Sequence, residues 1–272
     1  MDRDLNLISN SLRKKIINTS AKSKIPHLGS CLSCIDILVY LYWEVLKINP
    51  KDSLNINRDR FVLSKGHAAP ALFQVLAEKG FFNRKLLDDF GKSGSLFHEH
   101  PPKPGLIPGI EAATGSLGHG LPMALGMALA EKINFLNFHT FSLISDGECN
   151  EGTIWEAAML AASKKVEKLT AIIDYNKWQA TGRSKEILAL EPLNQKWESF
   201  GWHVIEINGH DFREMKTAFE TCKLMKNKPS IIIAHTIKGK GVSFMEDDNN
   251  WHYRIPNPEE LNLALNELDK NL

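Results

Sequence analysis

The sequence predicts an α/β fold, a mostly parallel β-sheet flanked by helices on both faces. Three observations predict it. Short apolar runs rich in β-branched residues recur along the chain, each with the length and continuity of a strand buried on both sides. Stretches of helical periodicity separate most of these runs, as a parallel sheet requires of its crossovers. Two polar segments, Gly91–Gly120 (rich in Gly, Pro and His) and Ile237–Pro258, break the alternation. In such folds the loops beyond the carboxyl ends of strands carry ligands, so both segments are candidate site loops rather than linkers.

Taken along the chain, the first helical pattern covers Leu32–Leu46. The first strand is Phe61–Leu63, followed by a helix over Ala69–Glu78 and another over Leu117–Lys132. Phe141–Ile144 is the second strand and Ile154–Lys164 the next helix. Leu169–Asp174, His203–Ile207 and Ser230–Ala234 complete the strands. A helix over Phe212–Met225 links the last two, and a final helix lies near Pro258–Leu268. No internal repeat or low-complexity segment interrupts this order, so residues 1–272 are expected to form a single domain.

Composition narrows the function. Thirty-three Lys and Arg against 32 Asp and Glu leave a formal charge of +1 on 272 residues. That balance gives no basic stripe for nucleic acid. No apolar window is long enough to cross a membrane. The amino-terminal MDRDLNLISNSLRKKI carries charges throughout and lacks the apolar centre of a secretory signal. Cys31 and Cys34 form a lone C-x-x-C with no second pair to complete a zinc site. They read as small apolar residues on a helix in a reducing, cytoplasmic compartment.

The strongest chemical signal is Phe141-Ser-Leu-Ile-Ser-Asp-Gly-Glu-Cys-Asn-Glu-Gly152. A buried strand ends at Ser145, and Asp146-Gly147 stands at its carboxyl end. The next strand ends in Tyr175-Asn176, one β-α-β unit further on. Asp146 and Asn176 should therefore sit on neighbouring strand ends at one edge. One carboxylate and one amide oxygen make a sparse oxygen site that suits Mg²⁺, which completes its octahedron with phosphate oxygens and water. A metal-bridged diphosphate follows. An Asp-Gly turn beside a helix-capping Asn is the plainer alternative for the same residues.

Together with Trp155-Glu-Ala and Asp174-Tyr-Asn-Lys-Trp-Gln-Ala-Thr-Gly182, this stretch resembles the thiamine diphosphate signature of the transketolase family. Further stretches resemble the family's motifs in the same order. They are His27-Leu-Gly-Ser-Cys-Leu-Ser33, Leu63-Ser-Lys-Gly-His-Ala-Ala-Pro-Ala-Leu72, His100-Pro with Pro108-Gly-Ile-Glu111 and Thr114-Gly-Ser-Leu-Gly-His-Gly-Leu121, and Thr236-Ile-Lys-Gly-Lys-Gly-Val242 with Met245-Glu246 and Trp251-His252. The resemblance spans roughly residues 10–258.

The resemblance implies the thiamine-diphosphate-binding fold and a role for each matching position. Asp146, the Asn176 side chain and the Trp178 carbonyl would hold Mg²⁺, or another divalent cation such as Ca²⁺ or Mn²⁺. His67, His252 and the Gly147 backbone would contact the diphosphate. Gly115 and Leu117 would lie against the aminopyrimidine. His27 and His100 would face substrate hydroxyls beside the reacting carbon, with His252 and Glu151 completing the catalytic set. Glu151 would join a carboxylate network that reaches a partner subunit. Lys65, Lys238 and Arg254 lie in these motif loops either to screen anionic charge or as solvated surface.

Family enzymes carry further domains on a longer chain, so the resemblance also implies the N-terminal subunit of a split transketolase. A C-terminal subunit with a pyrimidine-binding domain would complete the site, in an α2β2 assembly. Leu117–Ala130 and Ile154–Ala162 are its candidate contact helices. The reaction implied is transfer of a two-carbon ketol unit between sugars. An α subunit of a thiamine-dependent 2-oxo acid dehydrogenase shares the Asp-Gly…Asn element but not Ser-Lys-Gly-His or Gly-Ser-Leu-Gly. A non-catalytic paralogue would be expected to lose its metal ligands.

Five positions depart from the family pattern: Ser145, Lys24-Ile25-Pro26 before His27, Glu99, His119 and Tyr253. None is a metal ligand and three lie beside His27, His100 and His252. Retained cofactor binding with altered sugar specificity is the expectation.

Overall fold

A computed structural model describes residues 4–270. The outermost positions of the 1–272 range lie outside the described residues. Five strands form one sheet: β1 (Arg60–Leu63), β2 (Thr140–Ser145), β3 (Leu169–Tyr175), β4 (His203–Asn208) and β5 (Ser230–His235). Their order is β1-β2-β3-β5-β4 and every pair is parallel. All five expected strands are present, each extended by one or two residues.

Alternate side chains on each strand feed two separate cores, as a period of two dictates. Phe141, Leu143, Ile172 and Ile232 point to one core, and Ile144, Ala171, Ile173 and Ile233 to the other. The first core is closed by α1 (Leu5–Ser23), α2 (Leu28–Ser33), α3 (Ile35–Tyr40), α4 (Ala69–Lys79), α9 (Phe212–Leu224) and α10 (Pro258–Lys270). The second is closed by α5 (Gly120–Ile133), α6 (Gly152–Ser163) and α8 (Leu193–Ser199), with the one-turn α7 (Ser184–Ile187) preceding α8.

This division of the helices creates the crevice. The chain leaves β2 and β3 toward the α6/α8 face, but leaves β1 and β5 toward the α4/α10 face. Loops that part in opposite directions open a gap at the carboxyl edge, the place where open α/β sheets bind ligands.

Two parts of the helical reading need correction. The pattern over Leu32–Leu46 is not one helix. It breaks at Cys34, resumes as α3 and closes in a π-helical turn over Leu41–Val45. The 19-residue α1 is also absent from the sequence reading. Its buried face carries Leu12, Ile16 and Ile17, but polar Ser9, Arg13 and Ser20 share that face and dilute the apolar stripe. Asp4 caps it, accepting from the Asn6 and Leu7 amides at 2.9 and 3.3 Å. Among the described residues no helix is long and apolar enough to cross a membrane. All four cysteines are buried free thiols, and burial pushes Cys31 up to about 12. No group of three His, Cys, Asp or Glu side chains placed to hold a metal occurs among the described residues.

Candidate active site at the carboxyl edge of the sheet

Asp146 and Asn176 each follow directly on a strand, and those strands are neighbours in register, with Ser145 paired to Asp174. The two therefore stand on the same edge, on hydrogen-bonded neighbouring strands and one residue out of register. Asp146 is fully buried. Its Oδ1 accepts from the Gly147 amide at 2.9 Å and its Oδ2 from the Ser184 hydroxyl at 2.8 Å. No salt bridge neutralises it among the described residues. Burial pushes its carboxyl up to about 7, and the charge of Asp174 adds to the rise against the two hydrogen bonds. A buried carboxylate with acceptor capacity left over and no bonded cation is the chemistry of a cation ligand.

The Asn176 amide is oriented by its neighbours. Its Nδ2 donates to Asp174 Oδ2 at 3.3 Å and to Ser33 Oγ at 3.4 Å. Its Oδ1 accepts from the Trp178 amide at 3.1 Å, leaving a second lone pair unclaimed. Trp178 pairs with Arg183 in an isolated antiparallel bridge, whose bonds run Gln179 N to Gly182 O and Ser184 N to Lys177 O. No hydrogen bond ends on the Trp178 carbonyl among the described residues. Three oxygens from three residues thus retain capacity for a hard cation. The Gly147 amide faces its own neighbour Asp146 rather than open space.

Behind these oxygens lies a buried polar frame that sequence reasoning missed. Asp174, fully buried, accepts from Lys65, from Ser33 Oγ at 2.6 Å and from Thr236. Those donors come from α2 and from the loops after β1 and β5, so one carboxylate gathers four segments of the edge. Burial alone would raise Asp174, but the Lys65 charge and these donors hold it below the usual carboxylate range. Lys65 is raised by the same pairing. Glu148 does a similar job, accepting from Ser64 Oγ at 2.5 Å and from the amides of Ser145 and Gly118 at 2.9 and 3.0 Å. Lys65 and Lys238 are both fully buried, so neither is solvated surface.

Four histidines line the crevice. The His27 ring centroid lies 5.4 Å from that of His67 and 4.9 Å from that of His252, and His67 lies 6.1 Å from His252. His27 takes a left-handed backbone conformation at φ 66°, and its amide donates to the His252 carbonyl at 2.7 Å. That strained position fastens the first motif to the last. His100 packs over Gly115, where a Cβ would lie 2.9 Å from His100 Cδ2. The Lys238 ammonium donates to His252 Nδ1 at 3.1 Å and to Asn249 Oδ1 at 2.7 Å. Burial and neighbouring cations lower His27 to about 4, His252 to about 3 and Lys238 to about 8, and lower His67 well below its ordinary value. Neutral His27, His67 and His252 can each accept or donate a proton. His27 Nδ1 and Gln179 Nε2 are buried with no partner in the protein.

Of the other expected positions, Gly115 and Leu117 lie in the loop before α5, locked under Glu148 through the Gly118 amide. Gly66 packs so closely there that a Cβ would meet Gly115 N and Thr114 C at 2.7 Å. Glu151 is exposed at the N-cap of α6, making no capping bond with its side chain. His210, matched to no motif, is part of the frame. Its Nδ1 bonds Asp36 Oδ2 at 2.7 Å, and its Nε2 accepts from the Ile237 amide at 3.0 Å. Arg13 binds the same Asp36 oxygen at 2.6 Å, with its Nε on the Lys240 carbonyl at 3.0 Å.

Comparison with known proteins places this architecture. Residues 5–264 match the transketolase family's thiamine diphosphate binding domain. An apulose-4-phosphate transketolase subunit of Phocaeicola vulgatus is 40% identical over 268 residues, 98% of this chain and 95% of that one. The 6-deoxy-6-sulfo-D-fructose transketolase subunit SqwG of a Clostridium species is 42% identical, over 98% of this chain and 97% of that one. Among solved structures, transketolases from Leishmania mexicana and Campylobacter jejuni superpose with a TM-score of 0.86 at 27% identity. They match 98% and 100% of this chain, which spans only 45% and 48% of theirs. By sequence, by fold and by the layout of its carboxyl edge, this chain belongs to the transketolase family and covers that family's thiamine diphosphate binding domain.

Proposed function

We propose that this chain is the diphosphate-binding subunit of a two-chain transketolase, moving a two-carbon ketol unit from a ketose to an aldose. The observation that carries the reading is the pair Asp146 and Asn176 on adjacent strand ends, with the Asn176 amide turned so that Oδ1 keeps a free lone pair. Asp146, Asn176 Oδ1 and the Trp178 carbonyl hold Mg²⁺, or Ca²⁺ or Mn²⁺ in its place. His67, His252 and Lys238 face the diphosphate, and the unpartnered Gln179 Nε2 supplies a further donor. The turn carrying Gly115 and Leu117 receives the aminopyrimidine. When bound, thiamine diphosphate supplies the carbanion stabilisation that ketol transfer needs.

This chain's own part is to orient and to move protons. His27, His100 and His252 face the substrate hydroxyls. Held neutral by burial, the His27 or His252 imidazole takes a proton from one sugar oxygen and returns it to another. The orphaned His27 Nδ1 suits that task. The histidine rings, with Ser64 and Gly118 held by Glu148, wall the site on this chain's side. The other wall comes from a C-terminal subunit with a pyrimidine-binding domain, in an α2β2 assembly. Exposed Met123, Met159 and Leu160 on α5 and α6 offer it an apolar face, with Glu151 at its rim. Residues 1–272 act as one domain in this assembly. Buried free thiols suit a reducing cytoplasm.

The names of the two subunit relatives point to sugars outside common pentose exchange, in keeping with the departures beside the histidines. Tyr253 is the most prominent, 64% exposed, with its ring 4.6 Å from that of His252 and 6.0 Å from that of His27. The test is to assay the assembled complex with Mg²⁺ and thiamine diphosphate. Ketol transfer that needs both cofactor and partner is expected, with poor turnover of xylulose 5-phosphate with ribose 5-phosphate. Acyl rather than ketol transfer, or no heat of cofactor binding in calorimetry, refutes the reading.

A further inference from the structure

Two turns frame the metal end of the crevice. One, after β3, carries the Trp178 carbonyl and Ser184, whose hydroxyl holds Asp146. The other, after β5, carries Lys238, Asn249 and His252. Far apart in sequence, they meet at a compact cluster that none of the assigned roles uses. Arg183 forks onto Asp247, with Nη1 to Oδ1 and Nη2 to Oδ2 both at 2.6 Å. The Trp178 indole N–H donates to Asp247 Oδ1 at 2.8 Å. The Arg183 guanidinium lies 3.7 Å over the centre of the Trp178 ring. Asp247 takes a left-handed conformation at φ 57°, and its amide is held by the Lys238 carbonyl at 2.9 Å. A second strut joins the same turns, from Asn249 Nδ2 to the Ala180 carbonyl at 3.1 Å.

An isolated surface ion pair would be worth little. Here one carboxylate receives a planar fork and an indole N–H, and the same guanidinium stacks on the indole that shares its partner. The fork fixes direction as well as distance. Each turn carries groups at the cofactor edge: the Trp178 carbonyl and the Ser184 hydroxyl that holds Asp146 on one side, Lys238 and His252 on the other. Moving Asp247 relative to Arg183 would shift one set against the other.

We propose that Arg183 and Asp247 form a latch, clasped on Trp178, that positions the metal-holding turn against the His252 turn and so sets divalent-cation affinity without touching substrate. This rests on the metal reading given above. Arg183 and Asp247 are positioning residues, partly exposed, so their substitution leaves the core intact.

The test uses this chain assembled with its partner subunit, titrated with Mn²⁺ in the presence of thiamine diphosphate and followed by the electron spin resonance of free Mn²⁺. Arg183→Gln and Asp247→Asn should each weaken Mn²⁺ binding about tenfold, the lower end of what outer ligand supports contribute. The double variant should be no weaker than either single one. Arg183→Lys should recover little, since an ammonium cannot fork. At saturating metal and cofactor, kcat should match the wild type. Wild-type affinity in both single variants, or losses that add in the double variant, overturns the latch. If the wild-type complex itself fails to bind Mn²⁺ with thiamine diphosphate, the metal reading falls and the latch falls with it.

Discussion

Replacing Lys65 with methionine tests the polar frame most directly. Lys65 and Asp174 form an ion pair in which both side chains are fully buried. Removing the ammonium leaves the Asp174 carboxylate sealed in the protein with only neutral donors, Ser33, Thr236 and Asn176. Breaking a buried pair in this way costs about 3–5 kcal/mol, or on the order of 10 °C in melting temperature for a chain of this size. The pH dependence carries a sharper signature. In the wild type, Asp174 sits below its ordinary range despite burial, because Lys65 and its hydrogen-bond donors favour the charged form. Without Lys65, burial dominates and the folded-state value rises above the unfolded value of about 4. A raised carboxyl gives stability at low pH that is lost as pH climbs through the folded value. The deficit of K65M relative to wild type should therefore be largest near pH 8 and shrink toward pH 5. Urea titrations of both proteins across that range measure it. A loss below about 1 kcal/mol, or a deficit that stays constant with pH, would refute the frame. The double variant K65M/D174N should recover part of the loss, since no uncompensated charge then remains.

Two further outcomes follow from the same edge. In the metal-free protein Asp146 lies near 7, well above an unfolded carboxyl. Its contribution to stability is thus present at low pH and lost as pH rises through about 7, whereas a cation needs the carboxylate. The melting-temperature gain from Mg²⁺ with thiamine diphosphate should be larger at pH 8 than at pH 6, and equal gains would contradict the assignment. Gly66→Ala would force a methyl to within 2.7 Å of backbone at Thr114 and Gly115. Backbone cannot yield cheaply, so a loss of about 1–3 kcal/mol is expected in a thermal or urea melt, with weakened cofactor binding. Full stability in that variant would show the turn to be slack.

The elements most legible in the sequence were those with local causes. Strands such as Leu169–Tyr175 read plainly because every residue is buried and most are apolar or β-branched. The neighbouring placement of Asp146 and Asn176 followed from the length of one β-α-β unit, and the paired register agrees with it. What stayed illegible has partners remote in sequence. Lys65 stays open in the sequence between screening anionic charge and solvated surface, because the buried carboxylate that pairs with it lies 109 residues away. Glu148 looks like one more charge after a strand, and only the fold brings Ser64 and Gly118 to it. His210 belongs to no motif because Asp36 and Ile237 reach it from different layers.

The Arg13–Asp36–His210 cluster gives the amino-terminal helix an unexpected jurisdiction. Through Asp36, α1 and α3 jointly grip the Ile237 amide and the Lys240 carbonyl, the two ends of the short turn from which Lys238 enters the crevice. A shortened chain that began beyond Arg13 would keep every residue that faces the crevice yet let that turn drift. The helix preceding the first motif is, mechanically, the abutment on which the last motif is seated.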